Sequence, residues 1–190
     1  MNRIVLGTRS SDLARAQTSL VENALRATHP ALEISVKIIS TSGDERKDLP
    51  QGRKGLFTAE IERALLEVKI DVAVHSAKDL PSSLTSGSEI CATLPRANVE
   101  DVLVAKNADS LATVMKGATV ATGSVRRQHQ LRWLRPDLQI ADLRGNVPTR
   151  LRKLAENSWE AIILARAGLE RLQIANDRYV ILPNEQFVPA

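Results

Sequence analysis

The first indication of the fold comes from residues 3–40, RIVLGTRSSDLARAQTSLVENALRATHPALEISVKIIS. The apolar run 3–7 is typical of a strand, and the apolar residues after it recur at the spacing of a helix. Ser11 is a plausible N-cap for that helix, and the pair His29-Pro30 ends it. Alternating apolar residues then predict a half-buried strand over 32–40. A strand, a helix and a strand in this order indicate an α/β protein.

The same alternation continues through the rest of the chain. A helix is predicted over 57–68 and a strand over 70–75. Further strands are predicted over 102–105, 119–122, 138–143 and 161–165, and further helices over 124–134, 146–155 and 167–172. The pattern predicts two α/β domains with mostly parallel sheets, residues 1–95 and 96–190, and a ligand cleft between them.

Length and composition exclude several classes of protein. The 190 residues are 43% hydrophobic and 25% charged, which is typical of a folded soluble protein rather than a disordered one. No apolar run approaches the ~18 residues that span a bilayer, and the N-terminus has no signal-peptide pattern, so we expect no membrane partner and a cytoplasmic location. One cysteine and three scattered histidines predict neither a disulfide nor a metal site.

The positive charge of the chain is concentrated in one stretch. The whole chain carries 26 basic and 22 acidic residues, but eight basic and only two acidic residues lie between positions 122 and 153. This stretch predicts an anionic ligand. A nucleic acid is a poor match, because the stretch contains one aromatic residue, Trp133, and no RNA- or DNA-binding motif.

Three segments place polar residues where a predicted strand is followed by a helix. In the first, Gly7-Thr8-Arg9-Ser10-Ser11, the Arg9 side chain lies beside a helix N-terminus, which favours anions. A simple Ser11 cap with a solvated Arg9 explains this segment equally well. The other two are Thr122-Gly123-Ser124-Val125-Arg126-Arg127 and Leu143-Arg144-Gly145-Asn146-Val147-Pro148-Thr149-Arg150.

Those two segments each place arginines at a helix start, which is unfavourable for stability alone. A cation at a helix N-terminus opposes the helix dipole at a cost of about 0.3–1 kcal/mol. Two such starts in one domain predict binding sites for carboxylates or phosphates, and a solvated surface is the alternative.

A fourth polar segment, His75-Ser76-Ala77-Lys78-Asp79-Leu80-Pro81, follows a predicted buried strand. Lys78 and Asp79 can present a base and an acid to a ligand, although a local ion pair is an equally good explanation. His75 is more typical of a satisfied strand residue than of a catalytic base.

Taken together, these segments resemble the porphobilinogen deaminase (hydroxymethylbilane synthase) family. The matching motifs, in order, are GTRS at 7–10, KGLF at 54–57, HSAKDLP at 75–81, TGSVRRQ at 122–128, LRGNV at 143–147 and Thr149-Arg150. The resemblance implies two α/β domains of the periplasmic-binding-protein-like (type II) kind. It also implies a transferase of tetrapyrrole (haem) biosynthesis, which joins four porphobilinogens head to tail into hydroxymethylbilane and releases ammonia at each step.

The resemblance also implies roles for individual residues. Asp79 would be the catalytic carboxylate, with Lys78 beside it. The residues implied to hold the carboxylates of substrate, growing chain or cofactor are Arg9, Ser11, Lys54, Ser76, Thr122, Ser124, Arg126, Arg127, Arg144, Gly145, Asn146 and Arg150. A non-catalytic two-domain module that binds oligopyrrole carboxylates or other small anions is the alternative.

Some features of the family have no match in this sequence. Family members carry a third domain, whose cysteine holds a dipyrromethane cofactor through a thioether, and a glycine-rich segment that completes the first domain. Cys91 lies in an apolar stretch, 88–94, and is expected to be a buried strand cysteine rather than the attachment residue. Gly123 stands where many relatives have Ser, which removes one hydroxyl.

The expected partners follow from these differences. We expect a monomer that binds porphobilinogen and oligopyrrole intermediates, with no covalently attached dipyrromethane. A separate chain that supplies the third domain is the alternative expectation.

Overall fold

The computed structural model describes residues 3–41, 58–174 and 179–190. The chain forms two compact units, unit 1 (Met1–Pro95) and unit 2 (Arg96–Ala190). Lys54 lies outside the described residues, as does Phe57, at the start of the helix predicted over 57–68.

Unit 1 is built on a three-stranded parallel sheet in the order β2-β1-β3. Its strands are β1 (Arg3–Thr8), β2 (Glu33–Ile38) and β3 (Val72–Ala73). Its helical segments are α1 (Asp12–Thr28), α2 (Ala59–Leu66) and a 3₁₀ turn (Ala77–Asp79). Ser11 is the N-cap of α1, as predicted, and its Oγ accepts a hydrogen bond from the Ala14 amide at 3.3 Å.

The core of unit 1 joins β1 to α2. Ile61 and Ala64 of α2 are buried together with Ile70, and Leu6 of β1 is fully buried. A Cβ on Gly7 would clash with Cδ1 of Ile70, so a larger residue here would force the buried Ile70 side chain to shift. This contact fixes the end of β1, where Arg9 follows.

Unit 2 is built on a five-stranded mixed sheet in the order β6-β5-β7-β4-β8. The strands are β4 (Asp101–Ala105), β5 (Thr119–Ala121), β6 (Gln139–Ala141), β7 (Ala161–Ala165) and β8 (Tyr179–Ile181). β5 runs parallel to β6 and β7, whereas β4 runs antiparallel to β7 and β8. The helices are α3 (Val125–Leu134), α4 (Val147–Glu156) and α5 (Arg166–Arg171).

The central strands of unit 2 are buried on both faces. All five residues of β4 are buried, and Ile162 and Ile163 of β7 contribute to two separate clusters of buried side chains. One cluster includes Leu131 of α3 and the other Leu154 of α4. Buried runs of Val, Ile and Leu are typical of strands covered on both faces, and each fully buried large aliphatic side chain stabilises by about 1.5–3 kcal/mol.

The structure differs from the predicted strands in two places. The stretch 88–94 forms no strand, and Cys91 is exposed rather than buried in the core. An apolar run becomes a strand only where a neighbouring strand pairs with it and covers one face. Conversely, β8 was not predicted, although it pairs with β4 through Leu103 opposite Val180.

Candidate functional site

The polar segments of unit 1 meet at one edge of its sheet. β1 and β3 are parallel neighbours, so their carboxyl ends lie at the same edge, the usual place for a ligand in an α/β fold. The Val74 amide donates to the Gly7 carbonyl at 3.0 Å, and Gln17 Nε2 of α1 donates to Ser76 Oγ at 2.6 Å. These bonds hold the segment around Ser76 beside the end of β1.

Lys78 and Asp79 are exposed on the 3₁₀ turn that follows β3. The Asp79 amide donates to the Ser76 carbonyl at 2.9 Å, which closes the turn. Arg9 follows β1 and is half-buried. The fold therefore presents an accessible carboxylate and an accessible ammonium group on a hydrogen-bonded turn.

His75 differs from its prediction as a satisfied strand residue. It lies beyond β3, and its buried Nε2 has no hydrogen-bond partner within 3–41, 58–174 and 179–190. Burial lowers the pKa of His75, an effect that the negative charges of Glu62 and Asp79 oppose and the positive charge of Arg9 reinforces. The His75 imidazole therefore lies within the electrostatic reach of Arg9 and Asp79.

The arginine-flanked segments of unit 2 also share one edge of a sheet. β5 and β6 are parallel neighbours, and the predicted segments continue directly from their carboxyl ends. Ser124 caps α3 by accepting from the Arg127 amide at 3.5 Å, and Asn146 Oδ1 caps α4 by accepting from the Thr149 amide at 3.0 Å. Thr122 is buried, and its Oγ1 accepts from the Ser124 amide at 3.2 Å, so its hydroxyl shapes the loop.

Two glycines allow these loops to pack closely. A Cβ on Gly123 would lie 2.5 Å from the Leu143 carbonyl oxygen, which explains glycine at this position by packing between the two loops. Gly145 has φ +114°, and a Cβ there would lie 2.7 Å from Cγ2 of Thr149. Both positions therefore require glycine in this conformation.

Arg127 is placed differently from the expectation that it holds a ligand carboxylate. Its side chain is 8% exposed, and Nη2 and Nε donate to the two oxygens of Asp101 at 2.6 and 3.1 Å. Its Nη1 donates to the Ile163 carbonyl at 3.0 Å. Asp101 begins β4 opposite Ala165, so the antiparallel pairing brings its carboxylate to this edge. Arg127 therefore anchors α3 to the sheet.

Arg126 shares the same buried acid. Its Nη2 donates to Asp101 Oδ2 at 2.6 Å, and its Nη1 donates to the Val188 carbonyl. Its side chain is 29% exposed, compared with 2% for that of Asp101. One carboxylate thus holds two guanidinium groups at the start of α3.

The segment after β6 presents basic groups that are less buried. Arg144 Nε lies 2.9 Å from Asp142 Oδ2, and Arg150 Nε donates to the Gly145 carbonyl at 2.7 Å. Lys153 Nζ donates to the Arg144 carbonyl at 3.1 Å. We call this group the Arg144 seat, and its members are Arg144, Gly145, Asn146, Arg150 and Lys153. Its charged hydrogen-bond donors suit a carboxylate ligand.

Three residues of this edge did not appear among the predicted site residues: Asp101, Asp142 and Lys153. The basic stretch 122–153 contains Asp142 and Lys153 and could have identified them. Asp101 carries no local sequence signal, because only the strand pairing brings it to the arginines.

Neither a metal cluster nor a membrane span is found in the described part of the chain. No group of three or more His, Cys, Asp or Glu side chains there could hold a metal ion. The helices described are also too short or too polar to cross a bilayer.

Comparison with known protein families shows which family has the motifs at the ends of these strands. The family model described as "Porphobilinogen deaminase, dipyromethane cofactor binding domain" matches residues 4–190. The chain belongs to the porphobilinogen deaminase family. It is 47% identical over 192 residues to the porphobilinogen deaminase of Roseiflexus castenholzii, covering 100% of this chain and 63% of that protein. It is 44% identical over 193 residues to the porphobilinogen deaminase of Nitratidesulfovibrio vulgaris, covering 100% of this chain and 61% of that protein. The chain thus spans less than two thirds of these relatives.

Solved structures with low sequence identity show the same fold. The methionine binding protein MetQ is 13% identical with a TM-score of 0.51, and the match covers 95% of this chain and 82% of that one. The probable amino-acid ABC transporter extracellular-binding protein ytmK from Bacillus subtilis is 14% identical with a TM-score of 0.51, covering 95% and 78%. The predicted periplasmic-binding-protein-like (type II) fold is confirmed.

Proposed function

We propose that this member of the porphobilinogen deaminase family acts in the head-to-tail condensation of porphobilinogen, with release of ammonia. The observation that carries the proposal is the exposed Asp79 carboxylate on the turn after β3, in a chain that matches the family over residues 4–190. Arg9 lies in the same region, since the charges of Asp79 and Arg9 both act on His75. A carboxylate in this position can stabilise a cation that forms on a bound pyrrole.

The chemistry assigned to Asp79 follows from the bonds that change. The C–N bond of the substrate aminomethyl group breaks, ammonia leaves with the electron pair, and a cationic azafulvene is left. The terminal pyrrole carbon of the growing chain then attacks the methylene carbon, a C–C bond forms, and that pyrrole loses a proton. The negative charge of Asp79 stabilises the cation, and Lys78 beside it is suited to a substrate carboxylate.

The Arg144 seat is the proposed binding site for ligand carboxylates in unit 2. Its support is the half-exposed Arg144 guanidinium before α4, together with two further basic groups on that helix, Arg150 and Lys153, which bond to the carbonyls of Gly145 and Arg144. In unit 1 the corresponding groups are Arg9, Lys78 and the hydroxyls of Ser11 and Ser76. Arg127 and Thr122 are left out, because both are buried and bonded to the protein itself.

Dipyrromethane also carries carboxylates, and the donors of the Arg144 seat fit them. Arg144, Asn146 and Arg150 are the residues that would hold this group. When bound, dipyrromethane would supply the pyrrole end from which the product grows. No thioether is assigned, because the one cysteine in the sequence, Cys91, lies in an exposed segment of unit 1 that carries none of these donors.

Ammonia release from porphobilinogen tests the proposal. The full chain is assayed alone and with a second polypeptide, the part of the Roseiflexus castenholzii relative that this chain does not match. We expect ammonia release in at least one arm, and a loss of about a hundredfold or more in Asp79→Asn with porphobilinogen binding retained.

The matched control is Glu67→Gln, which removes an exposed carboxylate of unit 1 from its pair with Lys69. It is expected to leave ammonia release unchanged. Equal rates in the wild type and Asp79→Asn, or no release in either arm, would contradict the proposal.

A further inference from the structure

The basic edge of unit 2 contains two acidic side chains that differ sharply in burial. The Asp101 side chain is 2% exposed and bonds two arginines. The Asp142 side chain is 48% exposed and pairs with Arg144, which is 44% exposed. Breaking the first pair leaves a buried charge, whereas the second pair can separate into water.

The position of Asp142 places its carboxylate between the two loops. Its Oδ2 lies 2.9 Å from Arg144 Nε, and its Oδ1 lies 3.4 Å from the point that a Cβ on Gly123 would occupy. A Cβ on Gly123 would make only an ordinary van der Waals contact with this carboxylate, which therefore lies against the loop that contains Gly123. Asp142 already places a carboxylate on Arg144, in the charge and geometry that a ligand carboxylate would offer.

The strength of the Asp142–Arg144 pair suits a reversible contact. Exposed ion pairs contribute little to stability, because water solvates both charges when the pair opens. A charge-assisted bond to a ligand that also contacts Arg150 or Lys153 gains more than the exposed pair loses. Exchange of one carboxylate for another is therefore favourable only for a ligand with enough charge or enough further contacts.

We propose that Asp142 is a displaceable counter-ion of the Arg144 seat. Its carboxylate pairs with the Arg144 guanidinium when no ligand is bound, and a ligand carboxylate takes its place on binding. Asp142 makes the seat selective for ligands with several carboxylates or further contacts. An anion with one charge and no further contact competes poorly with a carboxylate that belongs to the same loop as Arg144. The inference rests on the proposed function, because that function assigns carboxylate binding to the seat.

Calorimetric titration of the full chain with porphobilinogen and with citrate tests this role. Asp142→Asn is expected to tighten binding of both by about two- to fivefold, the range that an exposed ion pair represents. A purely structural role predicts the opposite sign, because a misplaced Arg144 would weaken binding. Asp142→Ser is measured in parallel and is expected to act in the same direction.

The matched control is Glu156→Gln, which removes an acid of similar exposure from its pair with Arg152 on α4. It changes the net charge equally, and at 0.15 M salt, where the Debye length is about 8 Å, it is expected to leave both affinities nearly unchanged. Unchanged or weaker binding in the Asp142 variants, or equal tightening in Glu156→Gln, would overturn the proposal.

The two probes separate this inference from the function on which it rests. If citrate binds more tightly to Asp142→Asn but porphobilinogen does not bind at all, the counter-ion role stands and the proposed function fails. If porphobilinogen binds equally to the wild type and to Asp142→Asn, the counter-ion role fails alone. If neither probe binds either protein, both fail.

Discussion

The parallel strands of the two units follow the same order, β2-β1-β3 in unit 1 and β6-β5-β7 in unit 2. The two units differ in how many of their side chains are buried. In the described residues, unit 2 has five strands and two clusters of buried side chains, whereas unit 1 has three strands and one cluster. Every residue of β4 is buried, but β2 leaves Val36 and Ile38 exposed at 44% and 52%. The Arg144 seat thus lies on the better-buried sheet and Asp79 on the less-buried one.

The electrostatic interactions of the units differ in the same way. In unit 2, Asp101 is buried and ties Arg127 to the sheet. In unit 1, Asp71 accepts a hydrogen bond from the Val5 amide at 2.7 Å and is exposed. Local stability follows burial, so the turn that carries Asp79 is expected to open more readily than the loops that carry the arginines.

The largest expected effect is that of Asp101→Asn on unit 2. The change leaves the buried Arg127 charge uncompensated, which costs about 3–5 kcal/mol of unfolding free energy. Urea unfolding followed by tryptophan fluorescence measures it, because both tryptophans of the sequence, Trp133 and Trp159, belong to unit 2.

The control for this prediction is Asp71→Asn in unit 1, which alters an exposed acid. It is expected to leave the tryptophan transition within about 0.5 kcal/mol of the wild type. A loss of less than about 1 kcal/mol in Asp101→Asn would show that its pair with Arg127 does not anchor α3 to the sheet.

A smaller effect is expected from the titration of His75 in unit 1. Burial lowers the folded-state pKa of His75 below its ordinary value of 6.5, so the unfolded chain binds more protons as pH falls through 6.5. The stability of unit 1 is therefore complete above this pH and is lost in part below it.

Hydrogen exchange of the β1 and α2 amides, corrected for intrinsic rates, measures this dependence between pH 7.5 and 5.5. Protection is expected to fall on acidification in the wild type and to change less in His75→Gln. A rise in protection at low pH, or identical behaviour of the two proteins, would contradict the assignment.

The smallest effect on stability is expected at Cys91. Its side chain is exposed, so Cys91→Ser should change the unfolding free energy by no more than about 0.5 kcal/mol. A thiol reagent should label the native chain about as fast as the unfolded one. Slow labelling that speeds up only on unfolding would show that the thiol is covered.

Much of the fold could be predicted because its signals are local. Ser11 acts as the N-cap that the sequence indicates, and the strand predicted over 161–165 is a buried central strand. The pairing of Arg127 with Asp101 could not be predicted, since it depends on the antiparallel register of β4 against β7. The exposure of Cys91 was missed because an apolar run does not show whether another strand covers it.

The candidate site was predicted at the level of segments rather than of individual side chains. The segments that follow β1, β3, β5 and β6 lie at the carboxyl ends of their strands, as expected. The sequence does not show which arginines bond to the protein itself and which are available to a ligand. Arg126 and Arg127 have the same local pattern as Arg144 and Arg150. Burial separates them, since only the last two lie outside the Asp101 network.

Calorimetric titration of the full chain with porphobilinogen, comparing the wild type with Arg144→Gln/Arg150→Gln, tests most directly whether the Arg144 seat binds carboxylates. Each lost charge-assisted hydrogen bond is worth about 1.5–3 kcal/mol, so the double variant should bind at least about tenfold more weakly. Arg152→Gln, which changes an exposed arginine on the same helix as Arg150, should bind as the wild type does. Equal affinity of the double variant and the wild type, or no binding by the wild type, would contradict the assignment of the Arg144 seat as a carboxylate site.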